Sequence, residues 1–271
     1  MQGSSRESLA AAQERLSTLL GTAGTDGAAI GAALFEVIDV LDATPSLRRA
    51  LTDPSNGADA KAALVQRLLT GKASADVIAV VSDLARSRWS RGRDLADAAD
   101  ELAAESVLAS AEKAGRADRV EDELFRFERL VDADPALARA LADRAAPAQS
   151  RADLVERLLA DKAAPETLTL VRRAVLAGRG LHLANGLERY IGLAAQRREQ
   201  LVAHVTVALP LEAGQRDRLA AALKDLYGKA VQLNVDVDPD VLGGIRVEIG
   251  DEVLDGTVSR RLDDVRRRLA G

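Results

Sequence analysis

The chain has 271 residues, a length that suits one to three domains and is ample for burying a core. It holds no cysteine and two histidines, which excludes a disulfide framework, a thiolate metal site and a cysteine nucleophile, and leaves too few imidazoles for most metal-centred chemistry. A formal net charge of −5 argues against wholesale coating of nucleic acid, and no apolar run approaches the ~18 residues of a membrane span.

Hydrophobic residues make up 47% of the chain but aromatic ones only 2%, so Ala, Leu and Val must build the core. That choice favours helices, in which Ala, Leu, Arg and Glu lose little rotamer freedom. The N-terminal MQGSSRESLAAAQ has no apolar stretch ahead of a small-residue cleavage site, so no secretory signal is expected and the cytoplasm is the default compartment.

A repeat dominates the first two thirds. Displaced by 90 residues, Pro45 to Asp53 lies on Pro135 to Asp143, Ala63 to Leu69 on Asp153 to Leu159, and Lys72 on Lys162, with about half the positions identical and no gap. In the first copy Ile30, Leu34, Val37, Ile38 and Leu41 form one helical stripe. Leu64, Val65, Leu68 and Leu69 form a second stripe, and Val77, Val80, Val81 and Leu84 a third. The second copy repeats the order with Val120, Leu124, Phe127, Leu130 and Val131, then Leu154, Val155, Leu158 and Leu159, then Leu168, Val171 and Val175. Pro45, Pro54 and Pro135 stand where helices must start or stop. Two tandem helical bundles are expected, over residues 1–105 and 106–200, with short loops and antiparallel neighbours.

Near residue 200 the apolar period falls from 3.6 to 2. Leu201, Ala203, Val205, Val207 and Leu209 read as a half-buried strand, as do Val231, Leu233, Val235 and Val237. Between them Leu211 to Tyr227 reads as a helix that ends at Gly228. Ile245, Val247 and Ile249 form a third strand, Val253 and Leu254 extend again, and Thr257 to Leu269 reads as a closing helix. The fold class is therefore mostly α, with a small α/β domain over residues 201–271.

Four features bear on chemistry. Arg86, Arg88, Trp89, Arg91 and Arg93 cluster as phosphate-contacting bases around a stacking aromatic would, although such a cluster is more often a solvated helix end with Trp89 packed inward. His182 and His204 belong to no Ser-His-Asp arrangement, and Gly243-Gly244 lacks either phosphate-loop spacing. Residues 234–256 carry seven acids and one base, whereas residues 257–271 carry five arginines and two acids, a polarity that suits a helix C-terminus or the rim of a partner surface.

The segment Asp238-Pro239, Leu242-Gly243-Gly244-Ile245, Val247, Ile249-Gly250-Asp251, Val253-Leu254-Asp255-Gly256 and Arg261-Leu262 resembles the C-terminal signature of the delta subunit of bacterial F-type ATP synthases. The mitochondrial oligomycin sensitivity-conferring protein belongs to the same family. The resemblance extends upstream through Ala203 to Leu211 and the proline-bracketed helices of Pro45 to Lys72. It implies a non-catalytic stator subunit without cofactor, peripheral on the cytoplasmic face of the cell membrane. Its partners would be the N-terminal helices of the alpha subunit in the alpha/beta head, and the b subunit of the peripheral stalk. Within the signature, Gly243, Gly244, Gly250, Asp255 and Gly256 are the structural residues. Family members typically carry one helical bundle, so the duplication leaves open which copy meets the head. The second copy adjoins the C-terminal domain as the single bundle does and is expected to take the family position. The Arg86 to Arg93 cluster is then a candidate partner contact. A free-standing helical-repeat adaptor is the rival reading, and the C-terminal signature argues against it.

Overall fold

The computed structural model describes residues 1, 3–177, 183–199, 201–227, 231–239, 243–249 and 252–255. Among the described residues eleven helices come first: α1 Ser4–Gly21, α2 Gly27–Ala43, α3 Pro45–Thr52, α4 Ala58–Leu69, α5 Ala75–Arg86, α6 Gly92–Lys113, α7 Ala117–Ala133, α8 Pro135–Ala142, α9 Ala148–Leu159, α10 Pro165–Leu176 and α11 Leu183–Glu199. There follow β1 Leu201–Val207, α12 Ala213–Tyr227, β2 Val231–Val237, β3 Ile245–Ile249 and β4 Glu252–Asp255. The chain divides into two units, Met1–Ala195 and Gln196–Gly271.

The repeat seen in the sequence is present in the backbone. A displacement of 90 residues carries α2, α3, α4 and α5 onto α7, α8, α9 and α10 at both ends of every helix. The turns repeat as well: Asp53 accepts from Ser55 N at 2.8 Å and Asp143 from Ala145 N at 2.9 Å. Gly71 has φ 76° and its counterpart Asp161 φ 61°, a left-handed conformation that Asp adopts more readily than most side chains.

The copies share a helix. α6 closes the first set and opens the second, so the expected boundary between residues 105 and 106 falls inside its 22 residues. Fourteen of those residues are buried, over all but a narrow polar stripe of the helix, because elements of both copies pack against it. Toward the first copy, Asp94 accepts from Ser5 of α1 at 2.8 Å, and Glu105 from Gln13 at 2.6 Å. Toward the second, Asp100 meets Arg173 of α10 and Tyr190 of α11. One continuous apolar core runs from Ala12 to Ala194.

Helix starts follow from local chemistry. Pro45, Pro135 and Pro165 open α3, α8 and α10, where the missing N–H is no loss. Ser74 caps α5 by accepting from Val77 N at 3.3 Å, but its counterpart before α10 is Ala164, which has no capping side chain. Glu123 of α7 ties down this end in a different way, taking hydrogen bonds from Ala164 N at 2.8 Å and Thr167 Oγ1 at 2.6 Å. Burial works to raise the Glu123 pKa, but hydrogen bonds from Thr167, Ala164 and Arg119 outweigh it and hold the carboxyl below the ordinary value of 4.5. Glu123→Ala is expected to cost the helical unit about 1–2 kcal/mol at neutral pH, the magnitude of a lost cap. With a depressed folded pKa, this contribution is present above pH 4.5 and fades as pH falls through the folded value. Urea unfolding at pH 7 and again at pH 3 should therefore show a loss at the first and a much smaller one at the second. Equal losses at both would refute this role of Glu123.

In the second unit the strands are ordered β2-β1-β3-β4. β1 and β2 are parallel, with Val205 opposite Val235, and α12 makes the crossover that a parallel pair requires. β3 runs antiparallel to both β1 and β4. Ala203, Val205, Val207, Val247 and Ile249 line the buried face against Leu223 of α12. β1 ends at Val207 rather than at the expected Leu209, which is 76% exposed, because Pro210 has no N–H to continue the ladder. α12 begins at Ala213 rather than Leu211, and Gln215 Oε1 accepts from Glu212 N at 2.9 Å in the manner of a capping box. The expected helix from Thr257 to Leu269 lies outside the described residues.

Candidate partner-docking site

Among the described residues no group of His, Cys, Asp and Glu is placed to hold a metal. His204 is exposed on β1, and His182 lies outside the described residues. The chemistry on offer is that of shaped apolar surfaces bordered by charge.

Helix α2 approaches α6 through Gly27 and Gly31, which lie one turn apart on the same face. A Cβ at Gly27 would stand 2.5 Å from the Ser106 carbonyl oxygen. One at Gly31 would stand 2.5 Å from Val107 Cγ2 and 2.7 Å from the Ala103 carbonyl oxygen. Only glycine permits this approach. Where α2 leaves α6 it meets α10: the Arg173 guanidinium lies 5.0 Å from the centre of the Phe35 ring and donates to Asp39 at 2.5 Å.

The same guanidinium reaches Asp100 at 3.0 Å. Asp100 also accepts from the Tyr190 hydroxyl at 3.3 Å and pairs with Arg189 at 3.2 Å. Burial and the adjacent Asp100 push the Tyr190 phenol far above its ordinary pKa of 10.0, so it remains a donor. Burial works against the Arg173 charge, yet Asp100 and Asp39 outweigh that effect and hold its pKa above the ordinary value. This cluster ties α2 and α6 to α10 and α11.

An open groove lies between α1 and α5. Its walls are Ala12, Leu16 and Leu19 on one side and Ala79 and Val80 on the other, enclosing about 110 Å³. Arg15 and Asp83 pair across its rim at 3.0 Å. Ala12, Leu16 and Val80 are buried at its floor, as are their counterparts 90 residues on, Leu102, Ser106 and Leu170, whereas Leu19 is half-buried and Ala79 exposed where the groove opens.

The arginine cluster stands at one end of this groove. Arg86 bridges Asp83 at 3.3 Å and Asp59 at 3.6 Å, Arg91 pairs with Asp94 at 3.2 Å, and Arg93 with Asp97 at 3.6 Å. Arg88 is exposed, and its carbonyl accepts from Ser8 of α1 at 2.8 Å. Trp89 is 9% exposed and donates from Nε1 to the Leu84 carbonyl at 2.8 Å, which makes it part of the core rather than a platform for stacking bases. Of the cluster, Arg86 reaches the groove through Asp83, which it shares with Arg15, so the groove's rim carries paired charges of both signs. Sequence reading found the arginines but not the groove, whose wall in α1 was not assigned to a helix.

In the second unit Gly243 and Gly244 each have φ 91°, immediately before β3, a conformation strained for any residue with a Cβ. Asp255 ends β4. Gly250 and Gly256 lie outside the described residues.

Comparison with known proteins gives consistent results. Residues 102–269 match the family described as ATP synthase delta (OSCP) subunit. The chain is 51% identical over 269 residues to the ATP synthase subunit delta of Kineococcus radiotolerans, covering 99% of this chain and 98% of that one. It is 49% identical over 268 residues to the subunit of the same name from Streptomyces avermitilis, covering 99% and 98%. It is 47% identical over 271 residues to that of Streptomyces griseus, covering both chains completely. Residues 1–101, outside the family match, are thus shared with these relatives. The chain belongs to the ATP synthase delta (OSCP) subunit family.

Proposed function

We propose that this chain is a non-catalytic stator subunit of an F-type ATP synthase, joining the alpha/beta head to the peripheral stalk and resisting rotor torque. The observation that carries the reading, given the family, is the sharing of α6 between the two copies. A connector under torque must not hinge, and a helix buried over most of its circumference by both copies leaves no linker between them. The helical unit would take an amphipathic N-terminal helix of the alpha subunit, as helix-in-groove binding requires. The groove between α1 and α5 is the surface we assign to that helix, with Arg15, Asp83 and Arg86 at its charged rim. This places the head contact on the first copy, in contrast to the expectation from sequence order. The C-terminal unit, with Gly243 and Gly244 shaping its entry into β3, would meet the b subunit. No helix among the described residues is long and apolar enough to cross a membrane, and attachment on the cytoplasmic face through these partners is part of the proposal.

Affinity purification of the tagged full chain from detergent-solubilised membranes of its own bacterium tests this directly. Recovery of alpha, beta and b subunits is the expected result. Recovery of unrelated soluble proteins in their place would favour a general adaptor, and ATP turnover by the purified chain alone would overturn the non-catalytic assignment.

A further inference from the structure

The two copies differ on their equivalent helices α2 and α7. On α2, Gly31, Phe35 and Ile38 are buried. On α7 the same three positions carry Glu121, Phe125 and Glu128, and Phe125 is 48% exposed where Phe35 is 7% exposed. Arg173 of the second copy covers Phe35, and among the described residues no third copy follows to cover Phe125. The surroundings of the open ring are acidic. Glu128 and Asp132 stand on the same side of α7, and Glu188 of α11 lies close enough to interact with Glu128. Burial raises the Glu128 pKa, and repulsion from Asp132 and Glu188 raises it further. Arg129, on the far flank of Phe125, is the one base on that face of α7.

We infer that this face of α7 and α11 is a second docking surface, distinct from the α1 and α5 groove, and that it takes a basic amphipathic helix. The contact between Arg173 and Phe35 shows the required chemistry within this chain: a guanidinium over an aromatic face, flanked by a carboxylate. An incoming helix with an apolar stripe bordered by Lys or Arg would cover Phe125 and neutralise Glu128, Asp132 and Glu188. A neutral or acidic helix would leave those carboxylates facing one another in a less hydrated site.

The test uses the full chain and two designed amphipathic peptides of equal length, one of Leu and Lys and one of Leu and Glu, with binding read by fluorescence anisotropy. The Leu/Lys peptide is expected to bind and the Leu/Glu peptide not. Phe125→Ala and the pair Glu128→Gln with Glu188→Gln should each weaken binding at least about tenfold, a loss of roughly 1.4 kcal/mol. Val40→Ala, at another exposed apolar position on α2, should leave binding within about twofold, the range of a distant and independent site. All of these side chains are exposed or half-buried, and unchanged circular dichroism would confirm folding of each variant. Absence of binding, equal affinity for the two peptides, or binding indifferent to Phe125→Ala would overturn the inference. None of these outcomes touches the stator assignment, which rests on the membrane purification.

Discussion

Replacing Arg173 by Ala should destabilise the helical unit by about 3–5 kcal/mol, the cost of removing one partner from a buried ion pair. The side chains of Arg173 and Asp100 are 5% and 3% exposed, so water cannot replace the lost guanidinium at Asp100. Tyr190 and Arg189 remain as donors, which keeps the expected loss within that range. Asp39, whose side chain is 69% exposed, regains water and should contribute little. Urea unfolding followed by far-ultraviolet circular dichroism measures the change. Because the penalty comes from a buried carboxylate that has lost one of its two cationic partners, Asp100→Asn in the Arg173→Ala background should recover part of the loss, a coupling that independent sites would not show. A loss below about 1 kcal/mol would mean that the cluster does not hold the copies together.

Gly31→Val is expected to cost about 2–3 kcal/mol, because a Cβ placed 2.7 Å from the Ala103 carbonyl oxygen must push α2 away from α6. The backbone cannot move aside as a flexible side chain could. Helix propensity predicts the opposite sign, since replacing glycine by valine should stabilise a helix interior by roughly 0.3–0.5 kcal/mol. Gly192 on α11 separates the two effects: nothing lies within 4 Å of a Cβ there, so Gly192→Ala should gain roughly 0.5–1 kcal/mol. Thermal and urea unfolding of both variants would show opposite shifts. Stabilisation by Gly31→Val would refute the close approach of α2 to α6.

The start of α10 shows how a repeat can keep its geometry while changing its chemistry. Ser74 caps its own helix, whereas Ala164 depends on Glu123 from a neighbouring helix, so a local interaction in one copy is a tertiary one in the other. Similarly, Asp161 holds the left-handed turn that Gly71 holds 90 residues earlier. Sequence comparison alone scores these positions as differences.

Much of the architecture was legible before any coordinates. The stripes on α2, α4, α5, α7, α9 and α10 could be read because each of those helices buries one face, and the alternation in β1, β2 and β3 because each strand shows one side to α12 or to solvent. The family could be read from the C-terminal signature. By contrast α6 shows little period, for a physical reason: its polar stripe is narrow, Arg93, Asp97, Glu101 and Glu105, and the rest of its circumference is buried. Its core is largely alanine, and its buried Asp94, Asp100 and Ser106 read as surface residues in a sequence.

The candidate docking surfaces divide along the same line. The arginines from Arg86 to Arg93 announced themselves by clustering, but only the fold turns Trp89 inward and sets the cluster at the end of a groove. Phe35 and Phe125 occupy equivalent places in the repeat, and nothing local distinguishes them. One is covered and the other open because a second copy follows the first and, among the described residues, no third follows the second. The sequence by itself determined the composition of the core, the duplication and the family, since these depend on residue identity and spacing along the chain. Which faces are sealed, which helix both copies share and where a partner could still dock were decided only by tertiary packing, which brings together residues as far apart as Asp39 and Arg173.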